Sequence, residues 1–379
     1  MSKCFVKKLK KGLAQLCVRV YNYKRSIIEE DDTMIKAGIL GATGYAGEEL
    51  VRILSMHEDV KIVLLVSRTY AGQKISDIYR NLKGVCDIEC EELDIDKAAK
   101  ECDVVFTALP HGASKEVIPA LYEKGLNVID LSGDFRYNDV KVYEEWYKET
   151  HPAPHLLDEA VYGLCELHRE EIKKTRLIGN PGCYTTCSIL GLAPLVKEKM
   201  IDTKSIIIDA KSGVTGAGRG LHLNYHFSEC TENIMAYKVG THRHTSEIEQ
   251  ELSLLAGEEI ALSFTPHLVP MKRGIFATSY ANLISDADTE DIVSLYKKFY
   301  EGEKFVRVYD AGSLPESNHV SGSNFVDIGI VVDKRLNRVI VISAIDNLFK
   351  GAAGQAVQNM NLMFGIDEGK GISQPGYYM

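Results

Sequence analysis

The segment Gly179-Asn180-Pro181-Gly182-Cys183-Tyr184-Thr185-Thr186 carries the residue best placed to do chemistry. An apolar Leu177-Ile178 precedes it and a helical run through Ile189 and Leu192 follows, so Cys183 is expected at a helix N-terminus. The positive end of a helix dipole lowers a thiol's pKa and raises its thiolate fraction, which makes Cys183 a candidate nucleophile. Free cysteines are more often buried small hydrophobes than catalysts, and the other eight, Cys187 included, are read that way. The Asn-Pro-Gly turn ahead of Cys183 sets it apart.

A thiolate that attacks an acyl carbon needs a proton-transfer partner, and Thr241-His242-Arg243-His244-Thr245 offers two imidazoles just before a helical pattern. Paired histidines also suit zinc, but nothing nearby supplies further ligands at a recognisable spacing. Acid–base work is therefore the favoured reading, and no metal is expected. His57, His151 and His319 have no such setting and are read as surface residues.

A second group of residues is suited to a dinucleotide. The turn Gly41-Ala42-Thr43-Gly44-Tyr45-Ala46-Gly47 lies between an apolar run, 35–40, and a helical stretch with Leu50, Ile53 and Leu54 on one face. Glycines there let the backbone approach a pyrophosphate, whose charge the helix N-terminus favours. Gly41, Thr43, Gly44, Tyr45 and Gly47 are thus expected to line the cofactor. The next apolar run ends at Val66-Ser67-Arg68, where an NAD site usually presents an acid to the ribose hydroxyls. A hydroxyl and a guanidinium at Ser67 and Arg68 suit a 2′-phosphate instead, so NADP (NADPH) is preferred to NAD.

A third segment, Lys211-Ser212-Gly213-Val214-Thr215-Gly216-Ala217-Gly218-Arg219-Gly220, follows a predicted strand. Its flexible backbone with Lys211 and Arg219 suits a phosphate or carboxylate, and a plain hairpin or crossover loop has equal weight. Ser212 and Gly213 are assigned to the cofactor's surroundings.

The elements that must hold these groups follow from apolar periodicity. Runs at 35–40, 61–66, 103–108 and 126–131 alternate with helical stretches, which predicts α/β architecture with a parallel, doubly wound sheet over 34–179. Beyond Gly179 come longer β-rich runs at 205–210, 261–269, 273–283 and 325–332, interleaved with helical patterns at 245–255 and 289–300. They predict an α+β second domain, 180–345, with a largely antiparallel sheet. Residues 346–364 read as a final helix whose small residues permit packing back on the first domain, within a C-terminal segment 346–379. A chain of 379 residues is too long for one ordinary core, and two domains about a cleft suit an enzyme.

Composition narrows the partners. A formal charge of −9, with no basic run in the body of the chain, argues against nucleic acid. No uninterrupted apolar stretch reaches the ~18 residues of a membrane span, so a soluble protein is expected. Nine scattered cysteines form no disulfide framework, and a reducing cytoplasm fits best. Residues 1–33 pair a basic segment at 7–11 with an acidic run at 29–32, which fits neither a secretory signal nor a transit peptide. They are read as a dispensable extension, with Met34 the working start.

With these pieces assembled, the chain from Met34 to Met379 resembles the N-acetyl-gamma-glutamyl-phosphate reductase family. The matching motifs are GATGYAGEEL, LPHG at 109–112, DLSGDFR at 130–136, GNPGCYTT, SGVTGAGRG, HRHTSEIEQ and DNLFKGAAGQAVQNMN, in that order. The resemblance implies a Rossmann domain, a substrate domain that forms a homodimer or homotetramer, and NADPH-dependent reduction of N-acetyl-L-glutamyl phosphate with release of inorganic phosphate, in arginine biosynthesis. By matching motif Cys183 is the nucleophile, and His242 or His244 is the acid–base group, with a lean to His242. Asn347, with the Lys350-Gly351 turn, is placed near the nicotinamide, and Arg136 and Arg219 are assigned to substrate carboxylate or phosphate. The implied chemistry is attack of Cys183 on the acyl phosphate, a thioester, and hydride transfer that frees the aldehyde. Rival readings are another acyl-phosphate reductase of this architecture, such as aspartate-semialdehyde dehydrogenase or a carrier-linked lysine-pathway enzyme, and an NADP-binding redox sensor in which Cys183 is oxidised rather than acylated.

Overall fold

A computed structural model describes residues 33–110 and 112–378; the extension assigned from sequence lies, up to residue 32, outside the described residues. Strands β1 (Ile35–Leu40), β2 (Val60–Val66), β3 (Cys90–Glu91), β4 (Val104–Thr107), β5 (Asn127–Asp130), β6 (Ala160–Tyr162) and β7 (Leu177–Gly179) form one sheet. Their order is β3-β2-β1-β4-β5-β7-β6, and every pairing is parallel. β4 and most of β1 are buried on both faces, as strands covered by helices must be. The order reverses at β1, so the C-terminal ends of β1 and β4 open the crevice where such sheets bind ligands. The expected runs at 35–40, 61–66, 103–108 and 126–131 coincide with β1, β2, β4 and β5 to within about a residue at each end.

The second sheet comprises β8 (Ile207–Gly213), β9 (Met235–Ala236), β10 (Ser263–Val269), β11 (Ile275–Asn282), β12 (Val306–Val308), β13 (Val326–Asp333) and β14 (Arg338–Ile345). In the order β12-β13-β14-β11-β8-β10-β9 it is antiparallel except where β12 meets β13 and β8 meets β10. One face packs on the helices Cys183–Lys197, His244–Ala256 and Thr289–Phe299 in a shared apolar core. On the other face Phe276, Thr278 and Tyr280 of β11 pair with Ala344, Ile342 and Ile340 of β14, and these three β11 residues with Ile340 and Ile342 are only half-buried. β14 lies outside the expected runs. Its Val-Ile-Val-Ile stretch places apolar side chains on both faces and so lacks the alternation that marks a strand covered on one side.

The C-terminal segment begins with a π-helical turn, Phe349–Ala353, and continues as the helix Gly354–Met363. Phe349, Ala353, Ala356, Val357 and Met360 share a core with Ile39, Leu50 and Phe106. The side-chain amides of Gln355 and Asn359 both donate to the Gly163 carbonyl, at 2.7 and 2.8 Å. The last helix is thereby fastened to the first sheet next to the turn that carries Cys183. No helix among the described residues is long and apolar enough to cross a membrane.

Candidate active site

Cys183 is the first residue of the helix Cys183–Lys197, capped by Gly182 in extended conformation. The turn before it is pinned on two sides. The Asn180 N–H donates to the Asp130 carbonyl at 2.8 Å, at the end of β5. The Asn180 side chain donates to the Ala352 carbonyl at 3.2 Å and accepts from Asn359 Nδ2 at 3.0 Å. Gly182 permits a close approach to the nucleophile's turn, since a Cβ there would lie 2.4 Å from His244 Nε2 and 3.0 Å from Arg136 Nη1. From the other side Gly351 of the π-helical turn packs on Cys183 so closely that a Cβ there would clash, 2.7 Å from the Cys183 Cβ. One glycine thus brings nucleophile, imidazole and guanidinium together.

The expectation of a lowered thiol pKa is corrected. Burial pushes the Cys183 thiol up to about 11; the backbone amides of Tyr184 and Cys183 and the Arg136 charge pull it down, and the Glu247 charge pushes it further up. Desolvation outweighs the helix N-terminus, so the resting sulfur is a thiol and needs a base as it attacks. Cys187 is buried against Ser343 Oγ at 3.3 Å, and burial pushes it up to about 12.

The two histidines have different surroundings. The His244 N–H donates to His242 Nδ1 at 3.1 Å, which leaves the proton of a neutral His242 on Nε2. Burial, with the charges of Lys238 and Arg243, pushes His242 down to about 3, so it stays neutral at physiological pH. Its ring lies edge-on to Tyr184, Tyr237 and Phe264, at centroid distances of 5.7, 5.5 and 5.6 Å. His244 is the imidazole that reaches Gly182, at the start of the helix His244–Ala256.

The same backbone-to-imidazole contact explains two residues expected at the surface. His57 Nδ1 accepts from the Asp59 N–H at 3.2 Å and His151 Nδ1 from the Ala153 N–H at 3.2 Å, and both rings are buried. Their outer nitrogens meet Asn361 Oδ1 at 3.2 Å and the Asp134 carbonyl at 3.0 Å. Each holds a turn, as His242 does. His319 is partly exposed.

Arg136 reaches the site from the loop after β5. Asp130 orders that loop by accepting from Thr107 Oγ1 at 2.7 Å, the Ser132 N–H at 3.0 Å and Ser132 Oγ at 2.6 Å. Asp134 accepts from the N–H groups of Gly112 and Lys115, at 3.1 and 3.2 Å, which fixes the chain from Gly112 into the helix that follows. The buried Arg136 guanidinium donates through Nη1 to Glu247 Oε2 at 3.1 Å and through Nη2 to the Leu131 carbonyl at 3.0 Å. Its Nε has no hydrogen-bond partner among the described residues. Burial opposes the Arg136 charge, and Glu247 together with Tyr147, Tyr162 and Asp130 more than compensates.

The residues assigned to the cofactor gather at the crevice. Gly41 has φ 85° and comes so near β4 that a Cβ would lie 2.3 Å from the Ala108 carbonyl oxygen. Gly44 caps the helix Tyr45–Leu54 with no side-chain hydrogen bond, which leaves the first amides, including that of Tyr45, available to an anion. Gly47 packs on the Gly41 carbonyl. Thr43 Oγ1 and Ser67 Oγ are 2.8 Å apart, and Arg68 is exposed at the same strand end. The donor set fits a dinucleotide phosphate and includes no acid at the end of β2.

The second glycine loop brings two more of these residues alongside. Asn347 Oδ1 accepts from the Gly274 N–H at 2.7 Å, and its Nδ2 donates to Thr215 Oγ1 at 3.0 Å. A Cβ on Gly216 would meet Ser212 Oγ and Asn347 Nδ2, while the Gly213 N–H donates to the Gly274 carbonyl at 2.9 Å. Arg219 is found at the cofactor turn rather than beside Arg136: its Nη1 donates to the Thr43 carbonyl at 3.1 Å, under Tyr79 and Tyr70. Lys211 points to the open sheet face, where it pairs with Asp209 at 2.9 Å, because successive strand residues face opposite ways. Lys350 is wholly buried with its Nζ on Glu166 at 2.6 Å, while Gly351 of the same turn packs on Cys183.

Glu247 is the site residue that reading by motif overlooked. It lies three positions after His244, hence on the same helix face, and that spacing inside HRHTSEIEQ is the signal that marks it. Among the described residues no group of three His, Cys, Asp or Glu could hold a metal ion.

Residues 36–175 match the semialdehyde dehydrogenase NAD binding domain, and residues 183–347 match the semialdehyde dehydrogenase dimerisation domain. An N-acetyl-gamma-glutamyl-phosphate reductase of Acetivibrio thermocellus is 64% identical over 346 residues, 91% of this chain and 100% of that protein. The chain belongs to the N-acetyl-gamma-glutamyl-phosphate reductase family. Another member, from Desulforamulus reducens, is 56% identical over 345 residues, 91% of this chain and 100% of that protein. Membership makes the chain an oxidoreductase. Aspartate semialdehyde dehydrogenase II from Vibrio cholerae shares the fold, with a TM-score of 0.68 at 18% identity over 88% of this chain and 99% of that one. Aspartate semialdehyde dehydrogenase with NADP from Candida albicans gives 0.64 at 20% identity over 87% of this chain and 98% of that one.

Proposed function

We propose that the chain reduces N-acetyl-L-glutamyl 5-phosphate to N-acetyl-L-glutamate 5-semialdehyde with release of phosphate, through a thioester on Cys183, in arginine biosynthesis. The convergence of Cys183, His244 and Arg136 on Gly182 carries this reading. The names of the family members supply the substrate.

In this mechanism His244 Nε2 takes the thiol proton as the Cys183 sulfur attacks the acyl carbon. Arg136 holds an anionic group of the substrate, and phosphate leaves as the thioester forms, taking up a proton from water. Bound at the crevice, NADPH supplies the hydride that reduces the thioester carbonyl. His244 gives its proton to the oxygen, then takes it back as the carbon–sulfur bond breaks, and returns it to sulfur as the aldehyde departs. His242 remains neutral throughout and holds the His244 amide.

Gly41, Thr43, Gly44, Tyr45, Gly47, Ser67 and Arg68 would hold the nucleotide, with Arg219 closing on it and Ser212, Gly213 and Asn347 beside the nicotinamide. Residues 34–179 form the cofactor domain, 180–345 the catalytic and dimerisation domain, and 346–379 the segment that packs back on the first. A second copy covers the open face of the second sheet, giving a homodimer or homotetramer, and the enzyme works in the cytoplasm. The test is phosphate-dependent reduction of NADP with N-acetylglutamate semialdehyde, with aspartate semialdehyde as control. Turnover of the first aldehyde alone is expected; turnover confined to the second would overturn the substrate.

A further inference from the structure

Glu247 is a wholly buried carboxylate whose two oxygens face different parts of the site. Oε1 accepts from the Gly182 N–H at 2.9 Å and from Tyr162 OH at 2.6 Å, and Thr185 Oγ1 lies 2.8 Å away. These three donors belong to the turn and first helical residues around Cys183 and to the strand beside them. Oε2 accepts from Arg136 Nη1 at 3.1 Å. A buried charge is held only where donors and a counter-ion offset its lost hydration, and here the donors are the nucleophile's own cap and the anion-binding guanidinium.

We propose that Glu247 is a positioning residue: its carboxylate sets the distance between the Cys183 turn and Arg136, so that substrate capture and the nucleophile share one fixed frame. The proposal rests on the roles given above to Cys183 and Arg136. It also accounts for the spacing of HRHTSE, because Glu247 follows His244 by one helical turn and carries the imidazole's helix with it.

The two oxygens can be tested separately. Glu247→Gln keeps an oxygen for the Gly182 N–H and Tyr162 but turns an amide N–H₂ toward Arg136, which displaces the guanidinium. Glu247→Ala removes both contacts. Glu251→Gln is the comparison, since Glu251 is buried on the same helix and pairs with His168 at 2.7 Å instead. In the full chain, with folding checked by circular dichroism, Glu247→Gln is expected to raise KM for the acyl phosphate about tenfold while KM for NADPH and kcat hold within about threefold. Glu247→Ala is expected to lower kcat as well, by about a hundredfold, and Glu251→Gln to change none of the three. A Gln variant that matches the unaltered enzyme, or that loses kcat and both KM values together as a general disturbance would, overturns the proposal. Cys183→Ala runs alongside: turnover in that variant removes the nucleophile and this inference with it, whereas a dead Cys183→Ala beside a normal Glu247→Gln removes this inference alone.

Discussion

The backbone amide of His244 donates to Nδ1 of His242 over 3.1 Å, so the two imidazoles of the pair are not interchangeable. One ring caps the turn that starts the helix, and the other lies against Gly182. Motif alone leaned to His242; the shared contact of His57, His151 and His242 with the amide two residues on assigns His242 to the turn. His244→Ala is expected to lower kcat about 10²–10⁴-fold, the range of a lost acid–base group. His242→Asn, whose side chain can accept the same amide, is expected to lose less than about tenfold. Steady-state rates of the two variants decide between the rings, and the reverse ranking would return the proton transfer to His242.

His242 also sets a pH dependence of stability. The ordinary value for the group is 6.5 and the folded one about 3, so between them the unfolded chain binds a proton that the folded one does not. Stability must therefore fall as pH drops from 6.5 toward 3. Burial lowers His57 and His151 too, with the same sign. Urea unfolding at pH 7 and pH 5 is expected to show lower stability at pH 5, with a smaller drop in His242→Asn.

Gly182→Ala tests the closeness of the site without touching its chemistry. The added Cβ would lie 2.4 Å from His244 Nε2, and an imidazole yields more readily than backbone. Displacement of that kind can cost about a hundredfold in rate, so kcat is expected to collapse while the variant stays folded. A variant with normal kcat would mean that His244 works from another position.

Arg219 gives a separate handle on the cofactor. Because it sits on the Thr43 carbonyl, Arg219→Ala is expected to raise KM for NADPH about tenfold and leave KM for the acyl phosphate unchanged. Fluorescence titration with NADPH measures the same loss without turnover. An effect confined to the acyl phosphate would restore Arg219 to the substrate.

Much of this arrangement could be read from residue types. The strands β1, β2, β4 and β5 follow from short, mostly apolar runs, and the glycine turn before Tyr45 fits its crevice because only backbone can come that close to Ala108. Glu247 could not be ranked in the same way, since an acid in a first helical turn is ordinary until Gly182, Tyr162 and Arg136 are folded around it. The raised Cys183 pKa escaped for a related reason: the helix end is visible in the sequence, whereas the desolvation that outweighs it depends on which chains pack over the sulfur. Lys211 and Arg219 look alike in one glycine-rich segment, and strand parity sends Lys211 to the opposite face.

In the proposed reaction the acyl group passes through Cys183. Mixing the enzyme with N-acetyl-L-glutamyl phosphate in the absence of NADPH, quenching in acid and mapping the peptides by mass spectrometry tests it directly. An N-acetylglutamyl adduct is expected on the peptide containing Cys183, discharged when NADPH is added before the quench and absent from Cys183→Ala. Turnover in Cys183→Ala, or an adduct on another residue that NADPH discharges, would contradict it.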